Sequence, residues 1–156
     1  TSKYIEDFLP TLAKIQKKNK FDVIIIGSKL NINNNYIKCL PWSSKNEIKY
    51  LKKIDIGLMP LPNNVWTRGK CGLKILQYLS IGIPSIVSNV GINSEIIQNG
   101  KNGYLINNYQ DWEIYLSRLL KNRNLITKMG INGKNMVKKN YSNISILDSL
   151  SSILKF

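Results

Sequence analysis

From residue 66 to residue 106 the chain reads WTRGKCGLKILQYLSIGIPSIVSNVGINSEIIQNGKNGYLI. The spacing of its glycines and apolar residues leaves little freedom in how it can fold. A glycine- and lysine-bearing turn opens a helix at about Cys71, and that helix stops at Gly82. Ile83 and Pro84 then lead into a short apolar strand over 85–88. A second turn over 89–93 starts another helix, and Gly100 and Gly103 close a tight hairpin before a strand at 104–106. The order is loop, helix, strand, loop, helix, turn, strand. Two helix N-termini then lie at one end of a parallel sheet, where anionic ligands bind. The glycines and lysines point to a phosphate-bearing ligand.

The remainder of the chain extends this pattern. Tyr4, Ile5, Phe8, Leu9, Leu12 and Ile15 recur at helical spacing, and the helix they predict ends on the basic pair Lys17-Lys18. The continuous apolar run over 21–27 is the signature of a strand buried on both faces. After an Asn-rich surface turn at 31–35, a second strand covers 36–40 and ends at Pro41-Trp42. Ser44 and Glu47 have the spacing of a capping box and predict a helix to about Lys53. A third buried strand over 55–59 is closed by Pro60 and Pro62, with Asp55 as its turn or cap residue. Three helices are expected near 109–121, 124–139 and 143–155. Strands alternating with helices imply one α/β domain over 1–156, a Rossmann-like doubly wound parallel sheet. The chain opens on a helix, although such domains begin with a strand, so the first strand of the sheet is expected to be missing.

Composition sets the functional bounds. The net charge is +14, from 23 Lys+Arg against 9 Asp+Glu, and 43% of residues are hydrophobic. Such a balance suits nucleic acid, an anionic membrane surface or a phosphorylated small molecule. No apolar run reaches the roughly 20 residues of a bilayer-crossing helix. Histidine is absent, so an imidazole base or ligand has to come from elsewhere. The two cysteines, Cys39 and Cys71, lack metal-ligand spacing and fit a reduced cytosolic setting.

The richest cluster is Arg68-Gly69-Lys70-Cys71-Gly72-Leu73-Lys74. Gly69 and Gly72 let backbone approach a ligand, free N–H groups at the helix start can hold a phosphate, and Arg68, Lys70 and Lys74 can neutralise a diphosphate. A capped helix with solvated lysines would show the same residues. Lys74 shares a helical face with Gln77 and with Tyr78. In the 89–95 turn, Asn93 or Ser94 can cap a helix, or the loop can help line a ligand pocket. Gly27-Ser28 after the first strand is a weak phosphate-loop signal. Trp42 and Trp66 sit in loops at strand ends, where an indole can stack on a base or sugar. Trp112 and Tyr115 read as core positions. No carboxylate pair, nucleophile–base pair or metal cluster stands out.

The stretch DIGLMPLPNNVWTRGKCGLKILQYLSIGIPSIVSNVGINSEIIQNGKNGYLI resembles the C-terminal, nucleotide-sugar-binding domain of the group 1 glycosyltransferases, enzymes of two Rossmann domains (the GT-B fold). The likeness runs over roughly residues 22–141 and is most specific over 70–103. In that family a Glu, seven residues and a second Glu flank this helix; the first contacts the donor sugar and the second the ribose. Aligned on Gly82-Ile83-Pro84, these positions hold Gly69 and Gln77. Gln77 can still hydrogen-bond a ribose, whereas Gly69 offers no side chain. The resemblance assigns the diphosphate to the backbone N–H groups of Gly72 and Leu73, with Lys74 and Lys70 as additions and Arg68 beside them. Trp42, Gly69 and Gly27 are expected in the vicinity of the base and sugar.

The resemblance further implies transfer from a nucleotide-diphosphate sugar, such as a UDP- or GDP-sugar, to a glycan or lipid-linked acceptor with retention of configuration. No cofactor beyond that co-substrate and no obligatory metal are implied. The acceptor site and any catalytic His belong to an N-terminal Rossmann domain, toward which the helix over 143–155 crosses back with the apolar face Ile144, Ile146, Leu147, Leu150, Ile153 and Leu154. The expected setting is the cytoplasm, with the basic surface docking peripherally on the anionic inner membrane face. Two other readings compete. Gly69 and Gln77 suit a non-catalytic glycosyltransferase-like scaffold. The positive charge suits a nucleic-acid module, but the lysines are scattered over several helices and no nucleic-acid motif occurs, so nucleic acid is not the expected partner.

Overall fold

The computed structural model describes residues 2–28, 30, 32 and 34–154. The elements in chain order are α1 (Ser2–Lys18), β1 (Val23–Ile26), β2 (Ile37–Leu40), α2 (Glu47–Leu51), β3 (Gly57–Met59), α3 (Val65–Arg68), α4 (Leu73–Ser80), β4 (Ser85–Ser88), α5 (Asn93–Ile96), β5 (Gly103–Ile106), α6 (Tyr109–Leu120), α7 (Arg123–Asn140) and α8 (Asn143–Leu154). Every strand pair is parallel, as alternating strands and helices require.

The strands form two sheets, β1-β2 and β3-β4-β5, rather than one continuous sheet. Among the described residues β1 pairs only with β2 and β3 only with β4, so each keeps one edge unpaired. This corrects the expectation that both strands are fully buried. Only Ile25 is buried in β1 and only Gly57 in β3, whereas Ser85, Ile86 and Val87 of the central strand β4 are all buried.

β4 divides the core by simple alternation. Ile86 faces Phe8, Leu12 and Ile15 of α1, Tyr104 and Ile106 of β5, and Trp112, Leu116 and Leu119 of α6. Val87 points the other way, into Ile75 and Leu79 of α4 with Ile96 and Ile97. The two rings Phe8 and Trp112 meet at 4.5 Å, and Tyr115 stacks on Tyr104 at 4.2 Å. Pro10 lies inside α1 without ending it. An interior proline costs about 3 kcal/mol. Burial of Phe8, Leu12 and Ile15, at roughly 1.5–3 kcal/mol each, outweighs that.

α7 joins the two cores, since Met129 belongs to the first and Met136 and Val137 pack on the second. It approaches the turn after α4 closely: a Cβ on Gly130 would lie 2.0 Å from the carbonyl oxygen of Gly82.

Several local expectations change. α4 begins at Leu73, two residues after Cys71, because Gly72 is left-handed (φ +69°) and cannot continue a helix backwards. Gly103 does not close a hairpin. It is the first residue of β5, where a Cβ would stand 2.2 Å from the Ser85 carbonyl oxygen, and Gly100 (φ +78°) makes the turn. Ser44 and Glu47 form no capping box. The N-cap of α2 is Asn46, without a side-chain cap, and the Ser43 carbonyl accepts the N–H groups of Asn46 and Glu47. The N-cap of α5 is Ile92, and Asn93 is buried and donates instead to the Ser88 carbonyl at 2.9 Å. Asp55 precedes β3 and pairs with Arg123 at 2.6 Å. In the Asn-rich turn, residues 31 and 33 lie outside the described residues, while Asn34 accepts the Tyr36 N–H. On α8, Ile144, Ile146 and Leu147 are exposed. The side chains of Leu150, Ile153 and Leu154, and residue 155, lie outside the described residues.

Candidate functional site

Parallel strands followed by helices place every loop after a strand at one end of the sheets, and the candidate residues collect there. Gly27 follows β1 with φ +78°, and a Cβ on it would stand 3.1 Å from Trp42 Cβ. Only a small, left-handed residue lets the loop after β1 pass beneath the tryptophan. Trp42 follows β2 and is exposed.

Glu47, at the start of α2, reaches across to α4. Its Oε1 accepts from Lys74 Nζ at 3.0 Å, and Lys74 Nζ also donates to Gln77 Oε1 at 3.0 Å. The Lys74 ammonium, then the Trp42 indole, hold the Glu47 carboxyl below the usual glutamate range. The side chain of Glu47 is 18% exposed against 52% for Lys74. Tyr78, one residue beyond Gln77, packs its ring against Gly57, and burial followed by the Glu47 charge pushes its phenol up. Trp42, Glu47, Lys74 and Gln77 thus form one cluster. Glu47 was not among the residues picked from sequence, because its neighbours suggested a local cap and its partner lies in another element.

Arg68 and Lys70 stand apart from that cluster. Arg68 Nε donates to Asn63 Oδ1 at 2.7 Å. Lys70 Nζ lies 5.9 Å from the centre of the Trp66 ring, a cation–π contact worth about 0.5–1 kcal/mol at an exposed site. Trp66 lies in α3, not in a loop, and is exposed, as is Leu73 at the head of α4. The N-cap of α4 is Gly72, which has no side chain to bond the first helical N–H groups. Those of Leu73 and Lys74 are thereby left for an outside acceptor.

Gly69 has φ −80° and ψ 3°, and a Cβ there would lie no closer than 3.7 Å to its neighbours. Its backbone therefore does not require glycine. Gly69→Ala is expected to leave the protein as stable or to stabilise it by about 0.4–1 kcal/mol through the unfolded chain, as urea denaturation would show.

A cleft of about 600 Å³ opens at the ends of β3, β4 and β5, and none of the four cluster residues lines it. Pro60, Leu61, Asn63, Ser88, Asn89 and Asn107 are among its walls. The loop after β4 enters this cleft through Asn89 and Val90, apart from the Lys74 cluster. The asparagines at 63 and 107 carry no recognisable motif and were missed.

Two carboxylates in ion pairs titrate with a defined sign. Glu47 beside Lys74, and Glu113 beside Lys18 and Lys14, both have lowered carboxyl pKa values. Their contributions are present above the ordinary glutamate value of 4.5 and are lost as pH falls through the lower folded values. Removing both carboxylates by Glu47→Gln and Glu113→Gln is expected to flatten the acid side of the melting temperature against pH. The change is small, because exposed pairs contribute little.

The family model for glycosyl transferases group 1 matches residues 1–122, the whole of α1 to α6 and every residue of the cluster. The chain belongs to this family. The group 1 domain is 24% identical to the C-terminal domain of a glycosyl transferase group 1 family protein, LpcC, from Francisella tularensis, over 70% of this chain and 56% of that one, with a TM-score of 0.60. It also matches a TarM mutant of S. aureus in complex with Fondaparinux, alpha-GlcNAc-glycerol and UDP, at 17% identity and a TM-score of 0.76, covering 95% of this chain and 32% of that one. The fold is thus that of a GT-B C-terminal, Rossmann-like domain. Among curated proteins it is 27% identical to spore coat protein SA of Bacillus subtilis (strain 168), over 84% of this chain but 39% of the relative. The group 1 domain therefore spans well under half of that relative.

Proposed function

We propose that this chain is the donor-binding part of a glycosyltransferase that moves a sugar from a nucleotide-diphosphate sugar to a glycan or lipid-linked acceptor with retention. The observation that carries this reading is the convergence of Trp42, Gly27, Lys74 and Gln77 beside the uncapped start of α4, within a matched group 1 domain. The structure of TarM in complex with UDP, on a similar fold, supports a nucleoside diphosphate as the ligand.

In this reading the N–H groups of Gly72 and Leu73 and the Lys74 ammonium take the diphosphate, with Arg68 and Lys70 at the rim. Gln77 meets the ribose, and Trp42 and Gly27 flank the base, with Gly69 toward the sugar. The chemical contribution is electrostatic: fixed N–H dipoles and a cation meet charge that builds on the departing diphosphate as the sugar gains oxocarbenium character. The nucleotide-sugar is a co-substrate, no cofactor is invoked, and a metal is not obligatory. An N-terminal Rossmann domain supplies the acceptor site, and the exposed Ile144, Ile146 and Leu147 of α8 suit contact with it. The enzyme works in the cytoplasm, with the basic surface against the anionic inner membrane face.

Isothermal titration of the full-length protein with UDP and GDP tests the reading. One of them is expected to bind, and Lys74→Ala to weaken it at least about tenfold, since a hydrogen bond to a charged group contributes roughly 1.5–3 kcal/mol. Absence of binding by either nucleotide refutes it. Gly69 and Gln77, which lack the two carboxylates, favour a second reading as a binding domain without turnover. Transfer by the full-length protein from a panel of nucleotide-sugars excludes that one.

A further inference from the structure

Glu47 is an unexpected residue for an anion site. In a chain with 23 basic and 9 acidic residues, one of the few carboxylates stands 3.0 Å from the lysine nearest the start of α4. Beside a diphosphate it weakens that lysine's pull on the ligand. Its surroundings suit another chemistry. An ionised carboxylate is an acceptor with about four lone-pair sites, and here one oxygen is held by Lys74 while Gln77 and the Trp42 indole lie within its reach. Carboxylate, amide and exposed indole in one cluster is a set that recognises hydroxyl groups and the flat ring beside them. A nucleotide offers both, in the vicinal hydroxyls of its ribose and in its base. The cluster also sits outside the cleft-lining residues of β3 to β5.

We propose that Glu47 is a specificity-determining residue of the donor site, accepting hydrogen bonds from the ribose hydroxyls while Lys74 fixes its carboxylate. This rests on the donor-binding reading above. Gln77, which shares Lys74 Nζ with Glu47, is a neutral amide. Glu47 therefore brings the negative charge of the cluster from a different helix, 27 positions earlier than Lys74. Lys74 serves both groups: it orients the carboxylate and remains within reach of a phosphate.

The test is a cycle of two ligands and two proteins. Full-length wild type and Glu47→Ala are each titrated with UDP and 2′,3′-dideoxy-UDP, or with the guanine pair if only GDP binds. Wild type is expected to bind the dideoxy compound at least about tenfold more weakly, the loss that follows when a charged acceptor is left without its donors. Glu47→Ala is expected to show a clearly smaller preference, what remains being the Gln77 contact to the ribose. An exposed ion pair adds little stability, so the variant should fold, and its melting temperature verifies this. Undiminished preference for the ribose form in Glu47→Ala overturns the assignment, as does equal binding of both ligands by wild type. If Glu47→Ala binds neither ligand, Glu47→Gln takes its place. A smaller preference than wild type then supports the assignment, and an unchanged one overturns it. A wild type that binds no nucleoside diphosphate removes the donor-binding reading itself, a result distinct from the other failures.

Discussion

Replacing Gly72 by alanine is expected to destabilise the protein by roughly 2–4 kcal/mol and to remove nucleoside diphosphate binding. Two independent effects act at this residue. Its φ of +69° lies in the left-handed region, which costs an L-residue roughly 1–2 kcal/mol. A Cβ would also stand 2.4 Å from Ile96 Cδ1 and 3.1 Å from Ile92 Cγ2, and overpacking of this kind adds about 1–3 kcal/mol. The isoleucines can yield somewhat, so the total stays within a few kcal/mol. Relief by rotating the chain at Gly72 turns the first N–H groups of α4 away from the ligand, which is why binding falls further than stability. Urea denaturation and titration on the same preparation check the pair of effects. A variant of unchanged stability and affinity would show that the turn is not strained and that α4 does not hold the phosphate.

The second large effect is far from the ligand. Gly130→Val is expected to destabilise the domain by about 3–5 kcal/mol, at the upper end of what single substitutions do. The clash is with backbone, 2.0 Å from the carbonyl oxygen and 2.9 Å from the carbonyl carbon of Gly82. No rotamer change relieves it, so α7 has to lift from the turn after α4. Met129 then leaves one core while Met136 and Val137 leave the other. Ile131→Ala is the control: the residue is adjacent in sequence but exposed, and an effect within about 0.5 kcal/mol is expected. Thermal unfolding of both variants gives the comparison, and equal midpoints would refute the tight junction.

Periodicity carried most of the fold. Helices expected near 109–121 and 124–139 are observed as Tyr109–Leu120 and Arg123–Asn140, because each buries one stripe of side chains. The apolar runs located every strand observed. Features decided by contacts distant in sequence were not legible. Glu47 and Ser44 satisfy a local capping pattern, yet the carboxylate is drawn to a lysine in another helix. Asn93 has the chemistry of a cap, but the strand end at Ser88 offers its amide a buried carbonyl. Gly103 has the look of a hairpin glycine, and Gly130 carries no sequence signal; each is small because backbone from another part of the chain passes against it. Of the site, the loop over 66–74 and Gln77 were visible as a pattern of glycine, lysine and amide. That Arg68 and Lys70 turn to Asn63 and Trp66, leaving Lys74 alone with the carboxylate, depended on tertiary placement.

The division of the strands into two sheets bears on how a ligand could act. β1-β2 presents Trp42, and β3-β4-β5 carries the loops that lead to Lys74. With no ladder joining them among the described residues, the seam is spanned by a shared apolar core, on which Val23 of β1 and Leu58 of β3 both pack, and by the Glu47–Lys74 pair. A molecule gripping the indole on one bank and the ammonium on the other would work as a clasp. Its binding should slow amide exchange in β1 and β2, on the side of the seam away from the cleft at the ends of β3 to β5.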